Sequence, residues 1–538
     1  MRTRLLPLAG LLLLAAPVLT RAADDRPAIV VAFKSLDGLT ADAKYIAELA
    51  GKDNEAAQFE ALVKRFLGKN LSAVDSKKPI GLYVRINADD PQLSEAVVLV
   101  PVADEDGLIG LLKNFPSLTV DNKDADGVYK VMAENVPVPI YFRFANKYAY
   151  VTAANKDAIA KNRLLAPTAV LPPQGTSLLM LAIHGDAIPA KYKDMAVTAV
   201  TQQLAQAKQQ DQPGETPTIK AFRLAAIDQA GELIQSVIED GSDLTVSVDV
   251  DQAAGELSAS AVFSGKPGSK LAGGIADLAT KKSLGASLIG SDSAVNMVIN
   301  LAVPQKVRES ASDLLVDGLK QALANAPGGR DLADTFIKAA TPTIKAGVLD
   351  AGLDLRGPTA DGHYTLVMGM KVEQGAEVEK LLRDIVKAAP ADQKNLKLDV
   401  AKVGSVSIHQ IIPDANQSMD ENTKKLFGEN PNIYFAVRDD AILLAGGPGA
   451  LDALKSVASA KPTPGPTIQV EVSMSRAAKV AAGENPAAPD IAKKVFKDGK
   501  KDKVRLSIQG GKALTLKFSM DAPVITFSAQ LQEAQGAK

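Results

Sequence analysis

The sequence predicts an α+β protein of two pseudo-repeated halves, each a curved, mostly antiparallel sheet with helices packed on one face. Three observations predict it. Apolar runs alternate with period two and come in pairs joined by short polar turns, which implies antiparallel pairing. Long helical stretches are segregated from these runs, as in α+β rather than doubly wound proteins. The order of the pieces occurs twice along 538 residues.

The chain opens on "MRTRLLPLAGLLLLAAPVLTRAADD", with Arg2 and Arg4 before an apolar run and small residues at Thr20, Ala22 and Ala23. This is the pattern of a secretory signal peptide over residues 1–23, cut after Ala22 or Ala23. The run from Leu5 to Leu19 holds two prolines and falls short of the ~20 residues a membrane span needs. No later segment is apolar enough to cross a bilayer, so no transmembrane span is expected after the leader is removed.

The first repeat is expected over 24–277. "AIVVAFKSLDGLTADAKYIAELAG" (28–51) reads as strand, bend and helix, and "EAVVLVPVADEDGLIGLLKNF" (95–115) reads the same way. "IYFRFANKYAYVTAANKDAI" (140–159) is two strands turning at Asn146-Lys147, then a helix entry. "LLAPTAVLPPQGT" (164–176) is a proline-rich breaker that predicts an extended connector. Apolar spacing predicts helices over 192–210 and 219–240, before the strand pair "LTVSVDVDQAAGELSASAVFSG" (244–265).

"LATKKSLGASLIGSDS" breaks the pattern, so 278–292 is expected as a linker and 293–538 as the second repeat. There "AVNMVINLAVPQKVRESASDLLVDGL" (294–319) matches the opening, and "TLVMGMKVEQGAEVEKLLRDI" (365–385) matches 95–115. "IYFAVRDDAILLAGGPGALDAL" (433–454) matches the hairpin, turning at Asp439-Asp440, and "SAKPTPGPT" (459–467) matches the connector. Helices are expected over 306–325 and 374–389, and a loop between 388 and 430 takes up the extra residues of this half.

Composition removes several function classes. Aromatics are 4% with no tryptophan, so stacking platforms for bases or sugars are scarce. The net charge is −1, and the densest basic stretch, "KKVFKDGKKDKVR" (493–505), is broken by aspartates. Nucleic-acid binding is therefore not expected. The chain has no cysteine, which excludes disulfides, thiol nucleophiles, iron–sulfur clusters and thiolate metal sites.

Residue patterns that could carry chemistry are few. "DNKDADGVYKVMAE" (121–134) places Asn122, Asp124, Asp126 and Gly127 at positions 1, 3, 5 and 6 of a calcium loop, but position 12 is Ala133. A hairpin turn is the plainer reading. Weak calcium binding by Asn122, Asp124 and Asp126 is the alternative. His184, His363 and His409 show no metal spacing. Ser407 and His409 share one strand face without a third group to orient the histidine. Asp249 and Asp251 alternate on a strand, as a wetted face does, and Glu377 and Glu379 open a helix, where acids complement the dipole. "GGPGALDALK" (446–455) lacks the ending of a phosphate loop and reads as a Gly-Pro helix start. No catalytic residue, metal ligand or cofactor is assigned beyond the calcium alternative.

The repeated core, an "AVVLVPV" strand and helix followed by "GVYKV" and "IYFRFANKYAYVTAANKDAI", resembles uncharacterised secreted bacterial proteins of planctomycete type. The resemblance covers most of the mature chain in general pattern. It implies a periplasmic or extracellular α+β protein and no particular reaction.

The expected function is that of an exported, non-enzymatic binding or structural protein, with a protein or an apolar small molecule as partner in a groove between the repeats. One alternative is a carrier of lipid or another apolar ligand in a cavity between or within the repeats. The other is a hydrolase whose groups converge from distant positions, for which His184 near acids would speak.

Overall fold

The computed structural model describes residues 26–536 except 56, 59–60, 62–71, 91–92, 135, 173–176, 323–328, 389–395, 413–418, 484 and 498. The leader expected over 1–23 lies outside the described residues. Two compact units emerge: one of residues up to Ala196 together with Ile238–Lys266, the other of Val197–Val237 together with Pro267–Lys538. The class is α+β.

The strands of the first unit are β1 (Ile29–Phe33), β2 (Ile80–Arg85), β3 (Glu95–Pro101), β4 (Leu118–Val120), β5 (Tyr129–Ala133), β6 (Ile140–Ala145), β7 (Tyr148–Ala153), β8 (Ser177–His184), β9 (Gly241–Asp251) and β10 (Glu256–Gly265). They pair antiparallel in the order β10-β9-β8-β1-β2-β3-β7-β6-β5-β4.

The second unit contains a short ribbon of β11 (Lys282–Ser283) with a later two-residue strand, Thr463–Pro464. Its sheet holds β12 (Ser293–Ala302), β13 (Val348–Arg356), β14 (Thr365–Lys371), β15 (Leu396–Val403), β16 (Val406–Ile411), β17 (Ile433–Arg438) and β18 (Ala441–Gly446). With Thr463–Pro464 as β19, β20 (Ile468–Ser473), β21 (Lys503–Gln509) and β22 (Leu514–Asp521) complete it. The order is β22-β21-β20-β12-β13-β14-β18-β17-β16-β15, again antiparallel throughout. The two strand orders coincide position for position.

Helices are inserted between strands, several of them between strands that lie side by side. Leu36–Leu49 follows β1, and its N-cap Ser35 accepts from the Gly38 amide at 3.2 Å. The long helices Ala190–Gln209 and Pro217–Asp240 separate β8 from β9. Gln305–Ala322 and Gly329–Ala346 separate β12 from β13. Gly375–Ala388 follows β14. Apolar spacing located the helices expected over 192–210, 219–240, 306–325 and 374–389 to within three residues at each end, whereas Gly329–Ala346 was not expected.

Alternate residues of a strand face opposite ways, so each sheet has two faces. In the first unit one face packs Val30, Tyr83, Leu99 and Tyr150 against Ile159 and Leu171, and on the other face Val100, Ala149 and Val151 pack with Leu108 and Leu111 of the helix Glu105–Lys113. In the second, Val367, Ile408 and Leu443 meet Leu284, Leu288 and Leu454. The proline-rich stretches are not simple extended connectors. Residues 167–170 form a helical turn, and Val170 and Leu171 join the core. Prolines suit a first helical turn, where the missing N–H has no partner to lose. Residues 282–288 likewise pack inward as β11 and a 3-10 turn. The loop expected between 388 and 430 holds β15, β16 and the helix Glu421–Phe427, capped by Asp420; 389–395 and 413–418 lie outside the described residues.

Candidate functional site

On β12 and β13 the second unit's sheet departs from the usual burial rule. Along β13, Asp350 and Asp354 are almost fully buried, whereas Leu349 between the same strands is 39% exposed. On β12, Asn296 and Asn300 are buried and Met297 is exposed. Buried polar groups and exposed apolar ones are the informative cases.

The buried acids have local causes. The Asp350 carboxylate accepts from the Ser283 hydroxyl at 2.7 Å and from the Leu284 and Gly285 amides at 2.7 and 3.1 Å. Asp354 accepts from the Gly290 amide at 2.7 Å and from Arg356 Nε at 2.8 Å. Residues 283–290 are thereby strapped onto β13. Gly285 and Gly352 permit the contact, since a Cβ on Gly285 would strike the Ala351 carbonyl and one on Gly352 the Gly285 backbone.

The strap turns the remaining residues of these strands to the opposite face. One cross-strand row there runs Leu506, Val470, Met297, Leu353, Met368. The next runs Leu516, Ile508, Ile468, Ile299, Ala351, Met370. Paired residues share a face, so these rows form one surface without a polar side chain. Leu349, Met297, Met368, Met370, Leu506 and Leu516 are each 37–42% exposed. Near Val504 the surface is bounded by a cluster built on Phe496 and Phe527 from the helices that follow β20 and β22. Six strands at ~4.8 Å make the longer row about 24 Å across. The first unit has an apolar row in the matching strands, Ala261, Val246, Leu181, Val31, Leu82 and Val98, but it is more covered, with Leu82 buried and none of the six exposed.

Two clefts accompany the sheets. One, of about 540 Å³, lies in the first unit beside Phe33, Lys34, Ser35, Asp37, Lys77 and Met180. Lys34 is paired there with the buried Asp42 at 2.7 Å. The other, of about 520 Å³, lies in the second unit between the helices that follow β12 and is lined by polar groups including Arg308, Glu309 and Asp313.

The calcium-loop residues form the turn between β4 and β5. Asp124 accepts from the Asp126 and Val128 amides at 3.0 and 2.9 Å, which holds its carboxyl below the usual range. Lys156 reaches Asp124 at 3.5 Å and Asp126 at 3.7 Å, and Arg143 donates to the Asp126 carbonyl. Gly127 adopts φ 81°, as the turn requires. Asn122 is exposed. Among the described residues no group of three or more acids and histidines is placed to hold a metal.

The histidines do meet acids, which spacing alone did not show. His184 Nδ1 lies 2.7 Å from Asp243 Oδ1, an oxygen that also takes Arg26 at 2.6 Å. His363 Nδ1 lies 3.2 Å from the Lys425 carbonyl. His409 is buried; its Nδ1 accepts from the Asp399 amide at 3.0 Å, so Nε2–H faces Glu379 at 3.1 Å. Arg383 joins Glu379 at 2.7 Å and grips both oxygens of Asp399 at 2.7 Å. Hydrogen bonds from Arg383 and then Ser407 hold the Asp399 carboxyl far below the carboxylate range. Glu379 thus serves as more than a dipole partner. The network ties the helix Gly375–Ala388 to the irregular pairing of β15 and β16.

Of the remaining candidates, Asp249 accepts from Ser177 and Ser247 at 2.6 and 2.8 Å, and Asp251 caps the β9–β10 turn through the Ala254 amide at 2.8 Å. Gly449, at φ 69°, is the N-cap of the helix Ala450–Ala458.

No family model matches the chain, and no curated protein matches it. Among solved structures, that of TP0453 in crystal form III is similar at 10% identity over 45% of this chain and 78% of that chain, with a TM-score of 0.22. A likeness at that level carries no argument.

Proposed function

We propose that this is a non-enzymatic binding protein that carries a single long-chain amphiphile, a fatty acid or lipid, along the open apolar face of the second unit's sheet. The observation that carries the reading is the burial on β12 and β13, which places asparagines and aspartates inside and leaves methionine and leucine outside. Exposed apolar area on this scale marks a binding surface. Its chemistry favours a flexible hydrocarbon over a protein. The two rows hold no Trp, Tyr or Arg, the residues that anchor protein interfaces. They offer no hydrogen-bonding side chain to orient a polar ligand. Methionines at three positions adapt to a chain of variable shape. The surface suits the length of an extended acyl chain. Export, expected from residues 1–23, would put such a carrier in the periplasm or outside the cell.

The test is a fluorescence titration of the leaderless chain, residues 24–538, with cis-parinaric acid. Saturable binding that palmitate displaces, weakened by Met297→Lys, is expected. A natively folded protein with no saturable binding, or one that dimerises through this face instead, overturns the reading.

A further inference from the structure

The first unit contains a buried polar cluster that stands apart from the open face. Tyr83 and Arg85 project from β2 onto the face packed by Ile159 and Leu171, and Glu95 of β3 stands opposite Arg85 in the register. Tyr83 is fully buried, and Arg85 and Glu95 are 8% and 7% exposed. Part of the cluster is satisfied. Arg163 Nη1 reaches Glu95 Oε1 at 2.6 Å, and Arg85 Nη2 donates to the Arg163 carbonyl at 2.8 Å. The Leu165 carbonyl takes the Tyr150 hydroxyl at 2.7 Å. Arg85 Nη1 and Glu95 Oε2 have no hydrogen-bond partner in the protein, and the Tyr83 hydroxyl, which lies near the Leu165 backbone, makes no hydrogen bond of ordinary geometry.

Their placement is informative. Arg85 Nη1 and Glu95 Oε2 are 3.9 Å apart, too far for a direct hydrogen bond. Two groups that each bond to one shared atom can stand at that separation. The Arg85 guanidinium lies 5.2 Å from the centre of the Tyr83 ring, and the charges of Arg85 and Glu95 both act on the Tyr83 hydroxyl, which sets it in the same cluster. Burial pushes the Tyr83 hydroxyl up to about 12, so it keeps its proton and can donate. An ion pair this deep is stable only when its remaining lone pairs and protons are met.

We propose that Tyr83, Arg85 and Glu95 form a site for one buried water molecule, which accepts from Arg85 Nη1, donates to Glu95 Oε2 and bonds to Tyr83 Oη. The species must accept and donate at once. A halide or other simple anion leaves Glu95 Oε2 unmet, and a cation leaves Arg85 Nη1 unmet. Water does both and is the usual occupant of polar interior sites with two to four partners. Bound there, it completes the link from β2 and β3 to residues 163–165, and so holds that segment against the sheet.

A crystal structure of the leaderless chain, at a resolution that shows ordered solvent, tests this. Expected is one water within hydrogen-bond distance of Arg85 Nη1 and Glu95 Oε2. Direct contact of those two atoms, with nothing between them, overturns the proposal. The sign of the Tyr83→Phe effect tests the third partner in solution. A hydroxyl bonded to water stabilises the fold, and its removal lowers the folding equilibrium constant several-fold. A hydroxyl without a partner only bears its burial penalty, and its removal raises that constant or leaves it unchanged. The second result removes Tyr83 from the site.

Discussion

Leu349 and Asp350 are chain neighbours on β13 with opposite fates: the leucine is 39% exposed and the aspartate 2%. A strand must send consecutive side chains to opposite faces, so something has to favour the acid on the inside. That something is the set of three donors from residues 283–285, which meet the carboxylate at 2.7 to 3.1 Å. Two of them are backbone amides of a turn that cannot reach water once the strap is in place.

Asp350→Ala should therefore be among the most damaging single changes in the second unit. It leaves the Ser283 hydroxyl and two buried amides without an acceptor, a loss of about 3 kcal/mol or more. Leu349→Ser should change stability by about 0.5 kcal/mol or less, as partly exposed positions do. Urea unfolding of both variants checks the contrast. Equal effects would mean that the acid is not the anchor.

Ligand binding should appear as thermal stabilisation. A ligand that binds only the folded chain adds stability as RT ln(1 + [L]/Kd), about 2.7 kcal/mol at a hundred times Kd. Palmitate should raise Tm of the wild type in a concentration-dependent way. Met368→Lys, with a charge set in the same cross-strand row as Met297, should reduce affinity about tenfold, which is 1.4 kcal/mol. Its Tm without ligand should stay near that of the wild type, because Met368 is already 39% exposed. A Tm shift retained in full by Met368→Lys would place the ligand elsewhere.

Much of the element order was legible because it rests on periodicity. The helices expected at 192–210, 306–325 and 374–389 occur at 190–209, 305–322 and 375–388. The choice of inner face was not legible. "VLDAGLDLR" alternates cleanly, and local pattern assigns its leucines to the core and its aspartates to solvent. The structure does the reverse, since the donors for Asp350 lie some 65 residues upstream. The same distance in sequence hid the role of Leu284 and Leu288, whose surroundings of Lys, Ser and Gly read as a break. His409 was visible as a strand residue, but its bond to Glu379 depends on a helix 30 residues away.

The Arg383–Asp399 pair predicts a specific acid dependence. The Asp399 carboxyl is held low by Arg383 and Ser407. A group with a depressed folded pKa contributes stability that is fully present above its unfolded value, about 3.9. That stability is lost as pH falls through the lower folded value. Asp399→Asn should therefore flatten the loss of stability below about pH 4 while leaving the neutral-pH backbone intact, because Asn accepts the left-handed conformation that Asp399 holds at φ 54°. The Asp399 side chain is 51% exposed, so the effect should be small and should shrink in high salt. Urea midpoints against pH, with and without added salt, give the measurement. A variant with an unchanged acid limb would show that the pair contributes nothing.

The two hairpins expected to share a turn differ in backbone, and the difference is testable. Asn146 and Lys147, between β6 and β7, both have positive φ, 51° and 62°. That is the type I′ geometry, which fits the twist of a tight hairpin and favours Asn-Gly. Asn146 suits its place and also donates to the Tyr150 hydroxyl at 3.0 Å. Lys147 holds a conformation in which its Cβ is crowded. Lys147→Gly should relieve that crowding and raise stability by about 0.5–1 kcal/mol, less what the freer unfolded chain takes back. Asp439 and Asp440, between β17 and β18, are not among the residues with positive φ, and Asp440 is gripped by Arg438 at 2.8 and 2.7 Å. Asp440→Gly has no crowding to relieve and loses that pair, so it should destabilise. Opposite signs in denaturant midpoints are the expected outcome; a gain at both turns would remove the distinction between them.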